Sequence, residues 1–168
     1  MAKKKSKLPL GDLPKVTIYS DGAAKGNPGK GGYGSLLIWN DEELELCECY
    51  RHTTNNRMEL LGLIAALEEL KVICEVQVFT DSKYIVDTLV NKWYTSWKRN
   101  GWRTRMGDPV KNKDLWQRLI HQVEMHKVMI TWVKGHAGNV GNERVDKLAN
   151  LAISTKKELI DTGFDLRS

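Results

Sequence analysis

Apolar residues along this chain recur at two different periods, and the changes of period mark out the elements. Val16, Thr17, Ile18 and Tyr19 form a β-branched and aromatic run that Ser20-Asp21-Gly22 stops, as in a strand buried on both faces and ended by turn chemistry. Gly26, Gly29, Gly31, Gly32 and Gly34, with Asn27 and Pro28, come next and lead into an apolar strand from Ser35 to Trp39. A strand after the glycines, and no Gly-Lys-Ser/Thr ending, argue against a nucleotide phosphate loop. The stretch 23–34 is expected to be a turn between antiparallel strands, its glycines letting the backbone approach a partner closely. Leu44 to Tyr50 alternates roughly and predicts a third, edge-like strand.

The period then changes. Thr53 and Thr54 offer an N-cap, and Leu60, Leu63, Ile64 and Leu67 recur at helical spacing to near Lys71. Glu59 precedes Leu60 by one residue and Leu63 by four, which puts it at the border of the buried stripe. Glu75 to Asp81 repeats the opening pattern: Val76, Val78 and Phe79 form a strand, and Asp81-Ser82 ends it and caps a helix carrying Ile85, Val86 and Leu89. Leu115 to Val123 reads as a helix and Val128 to Val133 as a strand whose exit, Lys134 to Asn139, is a glycine-rich loop containing His136. A last helix opens at Asn142-Glu143 with Val145, Leu148, Ala149 and Ala152 inward and Asp146 beside that face. The order predicts a mixed α/β sheet, with a hairpin meander on one side and parallel strands joined by helical crossovers on the other.

Length and charge refine this picture. The 168 residues fit one domain, with residues 1–14 as a flexible basic leader (Lys3, Lys4, Lys5, Lys7, Pro9, Pro14) and 15–168 as the folded unit. No apolar run is long enough to span a bilayer and the start lacks a signal peptide, so a cytoplasmic chain with no membrane partner is expected. Cys47, Cys49 and Cys74 are odd in number and without Cys-x-x-Cys spacing, which argues against a disulfide framework or a zinc site. The net charge of +5 is unevenly spread: residues 91–113 hold Lys92, Lys98, Arg99, Arg103, Arg105, Lys111 and Lys113 against Asp108 alone. With the leader also basic, the rest of the chain is acidic, which suggests a polyanion gripped by one surface. Trp93, Trp97 and Trp102 interleave with that basic cluster.

Four acidic residues carry the candidate chemistry. Asp21 and Asp81 end strands at the carboxyl edge of the parallel set, where ligands gather in such sheets, and Glu59 and Asp146 border helix faces packed over it. Singly each has a bland reading, as a turn Asp, a helix-border Glu or a capping Asp. Together they would repel one another and raise their pKa values unless divalent cations sat between them. A donor set of oxygens without thiolate suits magnesium or manganese rather than zinc. Two such ions activate water and stabilise the departing oxygen of a phosphodiester. His136 is then a candidate proton shuttle for the leaving group, or an aid to product and metal release.

These residues resemble a known family, type 1 ribonuclease H in its bacterial form. The resemblance runs through Ser20-Asp21-Gly22, Gly26-Asn27-Pro28-Gly29, Gly31-Gly32-Tyr33-Gly34 and Thr53 to Leu60. It continues through Thr80-Asp81-Ser82 with Tyr84, Val110-Lys111-Asn112 with Asp114-Leu115-Trp116, Trp132 to Gly138, Asn142-Glu143-Arg144, Asp146 and Asp161-Thr162-Gly163. It implies a three-layer fold with a five-stranded mixed sheet in the order 3-2-1-4-5 flanked by helices. The implied activity is endonucleolytic hydrolysis of the RNA strand of RNA–DNA hybrids, leaving 5′-phosphate and 3′-hydroxyl ends, by a monomer using two Mg2+ ions, with Mn2+ as substitute.

Asp21, Glu59, Asp81 and Asp146 match the family's metal-binding carboxylates, and His136 its mobile catalytic histidine. Gly22, Asn27, Asn55 and Asn56 match positions approaching the minor groove and the RNA 2′-hydroxyls, and Thr54 and Asn112 match a pocket for a DNA phosphate. Trp93, Trp97 and Trp102 would lie against DNA, with Lys98, Arg99, Arg103 and Arg105 near phosphates; for Trp116 a core role is equally open. Departures are Ala23 and Ala24 in place of polar or cysteine residues, Lys83 where glutamine is expected, and the loop Asn139-Val140-Gly141. The alternatives are a hybrid-binding module without activity, which a lost carboxylate would signal, and a polynucleotidyl transferase of the same fold.

Overall fold

The computed structural model describes residues 5–6 and 12–164. Lys3, Lys4, Lys7 and Pro9 of the leader lie outside the described residues. The chain forms β1 (Lys15–Lys25), β2 (Gly29–Trp39), β3 (Glu42–Thr53), α1 (Asn55–Glu69), β4 (Glu75–Thr80), α2 (Lys83–Val90), α3 (Trp93–Arg99), α4 (Lys113–Met125), β5 (Lys127–Trp132), α5 (Val140–Thr155) and β6 (Glu158–Leu159). One mixed sheet runs in the order β5-β4-β1-β2-β3-β6. The expected order 3-2-1-4-5 is present, and a sixth strand extends it: β6 pairs parallel with β3 at Cys49 and Tyr50. Two residues carry too little pattern to read as a strand, and here they cover part of an exposed edge.

Helices pack on both faces, giving three layers. On one face Val16, Ile18, Val76 and Val78 meet Leu60, Leu63, Ile64 and Leu67 of α1, all of them buried. Helix α1 starts where Thr54 Oγ1 accepts a hydrogen bond from the Arg57 backbone N–H (3.2 Å) and is backed in turn by α4. On the other face α5 packs over β1, β2 and β3.

The glycine-rich stretch is not mainly a turn, as expected from its composition. Only residues 26–28 turn; Gly31, Gly32 and Gly34 lie inside β2. A Cβ on Gly34 would come 2.5 Å from the Val145 carbonyl oxygen, and one on Gly32 3.1 Å from that of Ala149. Small residues here allow α5 to approach the sheet backbone.

Two residues of the leader also touch the body. Ser6 bridges to Val72, its carbonyl accepting from Ile73 N–H (3.0 Å), while Lys5 Nζ donates to Gln122 Oε1 (2.7 Å) and to the Leu67 carbonyl near the end of α1. Cys49 and Cys74 are buried, Cys47 is half-buried, and all three are free thiols. Among the described residues no helix is long and apolar enough to cross a membrane.

Candidate active site

Strands β1 and β4 are parallel neighbours with Tyr19 opposite Phe79, so Asp21 and Asp81, each two residues further on, reach the same edge. Gly22 lets α1 close in: a Cβ there would collide with the backbone of Met58 and Glu59. That contact delivers Glu59 beside Asp21. One carboxylate oxygen from each of Asp21, Glu59 and Asp81 lies within 4.8 Å of the others. Asp146, carried by α5, is not one of the three that meet at this distance, but it helps to raise both Asp21 and Asp81.

Crowding shows in the acidities. Burial, then the Asp81 charge, pushes Asp21 up to about 8, although the Gly22 N–H donates to its Oδ1 (2.9 Å). Glu59 rises to about 7, mainly through burial, with the Ser82 hydroxyl holding it down and Asp81 raising it further. Asp81 is raised by burial and by Asp146, against the opposing pull of Asn142 and His136. Carboxyls this close resist ionising together unless cations share the site with them. The donors are carboxylate oxygens alone, so the set fits a hard divalent ion such as Mg2+ or Mn2+.

His136 lies on the exposed loop after β5 with φ 56°, in the left-handed region. The loop passes close to the nest, since a Cβ on Gly135 would sit 2.9 Å from Asp81 Oδ2. Thus the histidine is tethered next to one carboxylate with its ring open to solvent.

Other predicted residues form a continuous border. Asn27 Oδ1 accepts from Asn55 N–H (3.0 Å), and Asn55 Oδ1 accepts from Ala24 N–H, so the turn and the start of α1 are joined beside Gly22. Asn56 is exposed on the first turn of α1. Thr54 caps that helix, and Asn112, at φ 61°, opens α4 with its Nδ2 donating to the Tyr84 hydroxyl (3.3 Å).

Trp93 is 47% exposed on α3, whereas Trp97 and Trp102 are half-buried and pack against each other at 6.1 Å between centroids. Arg99, Arg103 and Arg105 are exposed; Arg103 Nη1 donates to the Gly107 carbonyl (2.8 Å). Lys98, also exposed, pairs with Glu124 across to α4. Trp116 takes the core role, fully buried with its Nε1 donating to the Tyr84 hydroxyl (2.7 Å).

Three supports of the site went unnamed by sequence reasoning. Asn142 is buried beside Asp81 and keeps its pKa from rising further. Ser82, seen only as a cap, also touches Glu59. The third is an ion cluster around the buried Arg57: its guanidinium donates to the exposed Asp114 (2.7 and 2.9 Å) and to the buried Asp161 (2.7 and 2.9 Å), and Thr53 Oγ1 donates to Asp161 (2.8 Å). This ties the chain end after β6 to the starts of α1 and α4, on which Thr54 and Asn112 stand. Arg and Asp at those positions were visible, but no local spacing signals a pair 104 residues apart.

A meander-plus-crossover sheet with carboxylates gathered at the strand ends defines a ribonuclease H-like α/β fold. The sequence model of the RNase H family matches residues 14–154. Ribonuclease H of Alcanivorax borkumensis is 50% identical over 145 residues, covering 86% of this chain and 95% of that one. The enzyme of Bradyrhizobium diazoefficiens is 54% identical over 140 residues, covering 83% and 90%. Among solved structures, LC9-RNase H1, described as a type 1 RNase H with the type 2 active-site motif, has a TM-score of 0.77 at 31% identity and covers 94% of this chain and 81% of its own. LC11-RNase H1, solved in complex with an RNA/DNA hybrid, has a TM-score of 0.64 at 28% identity, covering 83% and 96%. The chain belongs to the RNase H family, as a bacterial type 1 ribonuclease H.

Proposed function

We propose that this enzyme cleaves the RNA strand of RNA–DNA hybrids endonucleolytically, by in-line attack of water, leaving 5′-phosphate and 3′-hydroxyl ends. The observation that carries this reading is the acidic nest: carboxylates from β1, α1 and the end of β4 within 4.8 Å of one another in a chain of this family. Asp21, Glu59, Asp81 and Asp146 would hold two Mg2+ ions, or Mn2+ in their place. Bound there, the ions supply Lewis acidity that eases deprotonation of the attacking water and stabilises charge developing on the phosphate.

Every other part of the work belongs to the chain. Asn142 and Ser82 oppose the upward push on Asp81 and Glu59, favouring the charged forms that would act as ligands. His136 gives a proton to the departing 3′-oxygen, which its exposed ring on a loop beside Asp81 suits it to do. Gly22, Asn27, Asn55 and Asn56 meet the minor groove, where 2′-hydroxyls distinguish the RNA strand. Thr54 and Asn112 take a phosphate of the DNA strand, and Trp93, Trp97, Trp102, Lys98, Arg99, Arg103 and Arg105 hold the duplex without reading its sequence. Residues 15–168 act as one catalytic domain in a cytoplasmic monomer, with residues 1–14 as leader.

The test is incubation of labelled hybrid, RNA duplex and DNA duplex with Mg2+, alongside Asp21→Asn. Cleavage confined to the RNA of the hybrid, and lost in the variant, is expected. Equal cleavage of all three substrates would overturn the assignment.

A further inference from the structure

Two basic side chains meet where β4 begins, at the end of that strand away from the acidic nest. His126 follows the last turn of α4 and is buried. The backbone N–H of Cys74 donates to its Nδ1 (3.0 Å), so that nitrogen carries no proton. An imidazolium, protonated on both nitrogens, is thereby excluded, and the one proton of the neutral ring is on Nε2. Nε2 lies 3.2 Å from Lys5 Nζ. An ammonium has only hydrogens to offer, and two donors do not face each other at hydrogen-bonding distance. An uncharged amine fits: its lone pair accepts from His126 Nε2–H, and its two hydrogens go to the Leu67 carbonyl and to Gln122 Oε1 (2.7 Å). Every direction around the nitrogen is then used.

The surroundings disfavour a cation as well. Among the described residues no carboxylate forms a salt bridge with Lys5. Glu68 on α1 is engaged by Arg118 (2.7 Å), and Cys74 Sγ donates to the Val72 carbonyl (3.3 Å), as a thiol and not a thiolate. Burial does most to lower Lys5 from the usual 10.5, with Lys71 adding to it and Cys74 and Glu68 opposing. Burial, then the Lys5 charge, pushes His126 down to about 4.

We propose that the socket formed by the Leu67 carbonyl, Gln122 and His126 takes an uncharged primary amine, and that Lys5 fills it as a pH-dependent strap. Docking gathers the ends of α1 and α4 and the start of β4, and the Ser6 carbonyl extends it by accepting from Ile73 N–H (3.0 Å). Free lysine is protonated in neutral water, so each docking event gives up a proton. The contact is therefore complete above about 10.5, the free lysine value, and weakens as pH falls toward the lowered value of the docked side chain. Acidification releases the strap and alkali fastens it.

The experiment follows the full chain, labelled with 13C and 15N in lysine and histidine, by NMR between about pH 6 and pH 11. Lys5→Met identifies the Lys5 signals by their loss. Lys5 should deprotonate at lower pH than the exposed lysines, and the His126 nitrogens should show the Nε2–H tautomer. Urea unfolding of the two proteins gives a second reading: the ratio of their unfolding constants should grow in favour of wild type as pH rises from about 7 to about 9.5, by up to about tenfold per unit. Lys5 titrating with the other lysines or above them, a His126 proton on Nδ1, or a stability gap that stays level or narrows in alkali would overturn the proposal. The tautomer is read on wild type alone, so that arm decides even if Lys5→Met folds poorly.

Discussion

Asp21→Asn should abolish cleavage and at the same time stabilise the metal-free protein above neutral pH. In the fold the Asp21 carboxyl is pushed from 3.8 up to about 8, by burial first and Asp81 second. The folded state thus holds the proton more tightly than the unfolded chain. Stability from this group is complete below about pH 4 and is lost as pH climbs through about 8. At about 1.36 kcal/mol per unit, the rise from about pH 5 to about pH 8 costs wild type up to roughly 3–4 kcal/mol. Water entering the site and relaxation of Asp81 and Glu59 would bring that to about 2 kcal/mol. An amide of the same shape has no charge to desolvate, so the variant should lack this slope.

Urea unfolding in EDTA near pH 5 and pH 8 measures it directly. Wild type should lose stability between the two, while Asp21→Asn loses about 2 kcal/mol less. Mg2+ should restore wild type at pH 8 in proportion to its occupancy, and the variant less. Parallel pH profiles for the two proteins, or a variant less stable than wild type at pH 8 without metal, would refute the claim that the nest is strained by its own charge.

Other perturbations separate the remaining parts. His136→Ala should lower kcat by about a hundredfold with KM little changed, as expected of a lost proton donor; a change confined to KM in steady-state assays would exclude that role. Removing positive charge at Arg99, Arg103 and Arg105 should raise KM more than it lowers kcat, because these contacts are the same in ground and transition states. Lys98→Ala alone should do least of the four, since Glu124 already engages that ammonium; an equal fall in kcat and kcat/KM in any of them would contradict the grip role. Asp161→Ala leaves the buried Arg57 guanidinium with only half its carboxylates and should cost about 3 kcal/mol, or roughly 6–12 °C in Tm. Calorimetry showing no loss would mean the cluster does not fasten the chain end.

The sequence revealed the sheet because its strands and helices have contrasting periods: Val16 to Tyr19 and Val76 to Phe79 are short β-branched runs, and Leu60 to Leu67 follows helical spacing. Asp21, Glu59 and Asp81, which the structure brings together, were legible from their positions at strand ends and a helix border. Gly31, Gly32 and Gly34 misled, since composition cannot distinguish a glycine that turns from one that admits a helix to the sheet. The two-residue β6, the Arg57–Asp161 pair, the second contact of Ser82 and the burial of Asn142 depend on tertiary proximity and leave no periodic trace. The Lys98–Glu124 pair, 26 residues apart, leaves no such trace either.

The central claim is that Asp21, Glu59, Asp81 and Asp146 form one nest whose charge is relieved by divalent cations. Anomalous diffraction from crystals soaked in Mn2+ tests it most directly. The account predicts a strong peak within coordination distance of Asp21, Glu59 and Asp81, lost in Asp21→Asn. Peaks elsewhere with none at these carboxylates, or an undiminished peak in the variant, would contradict it.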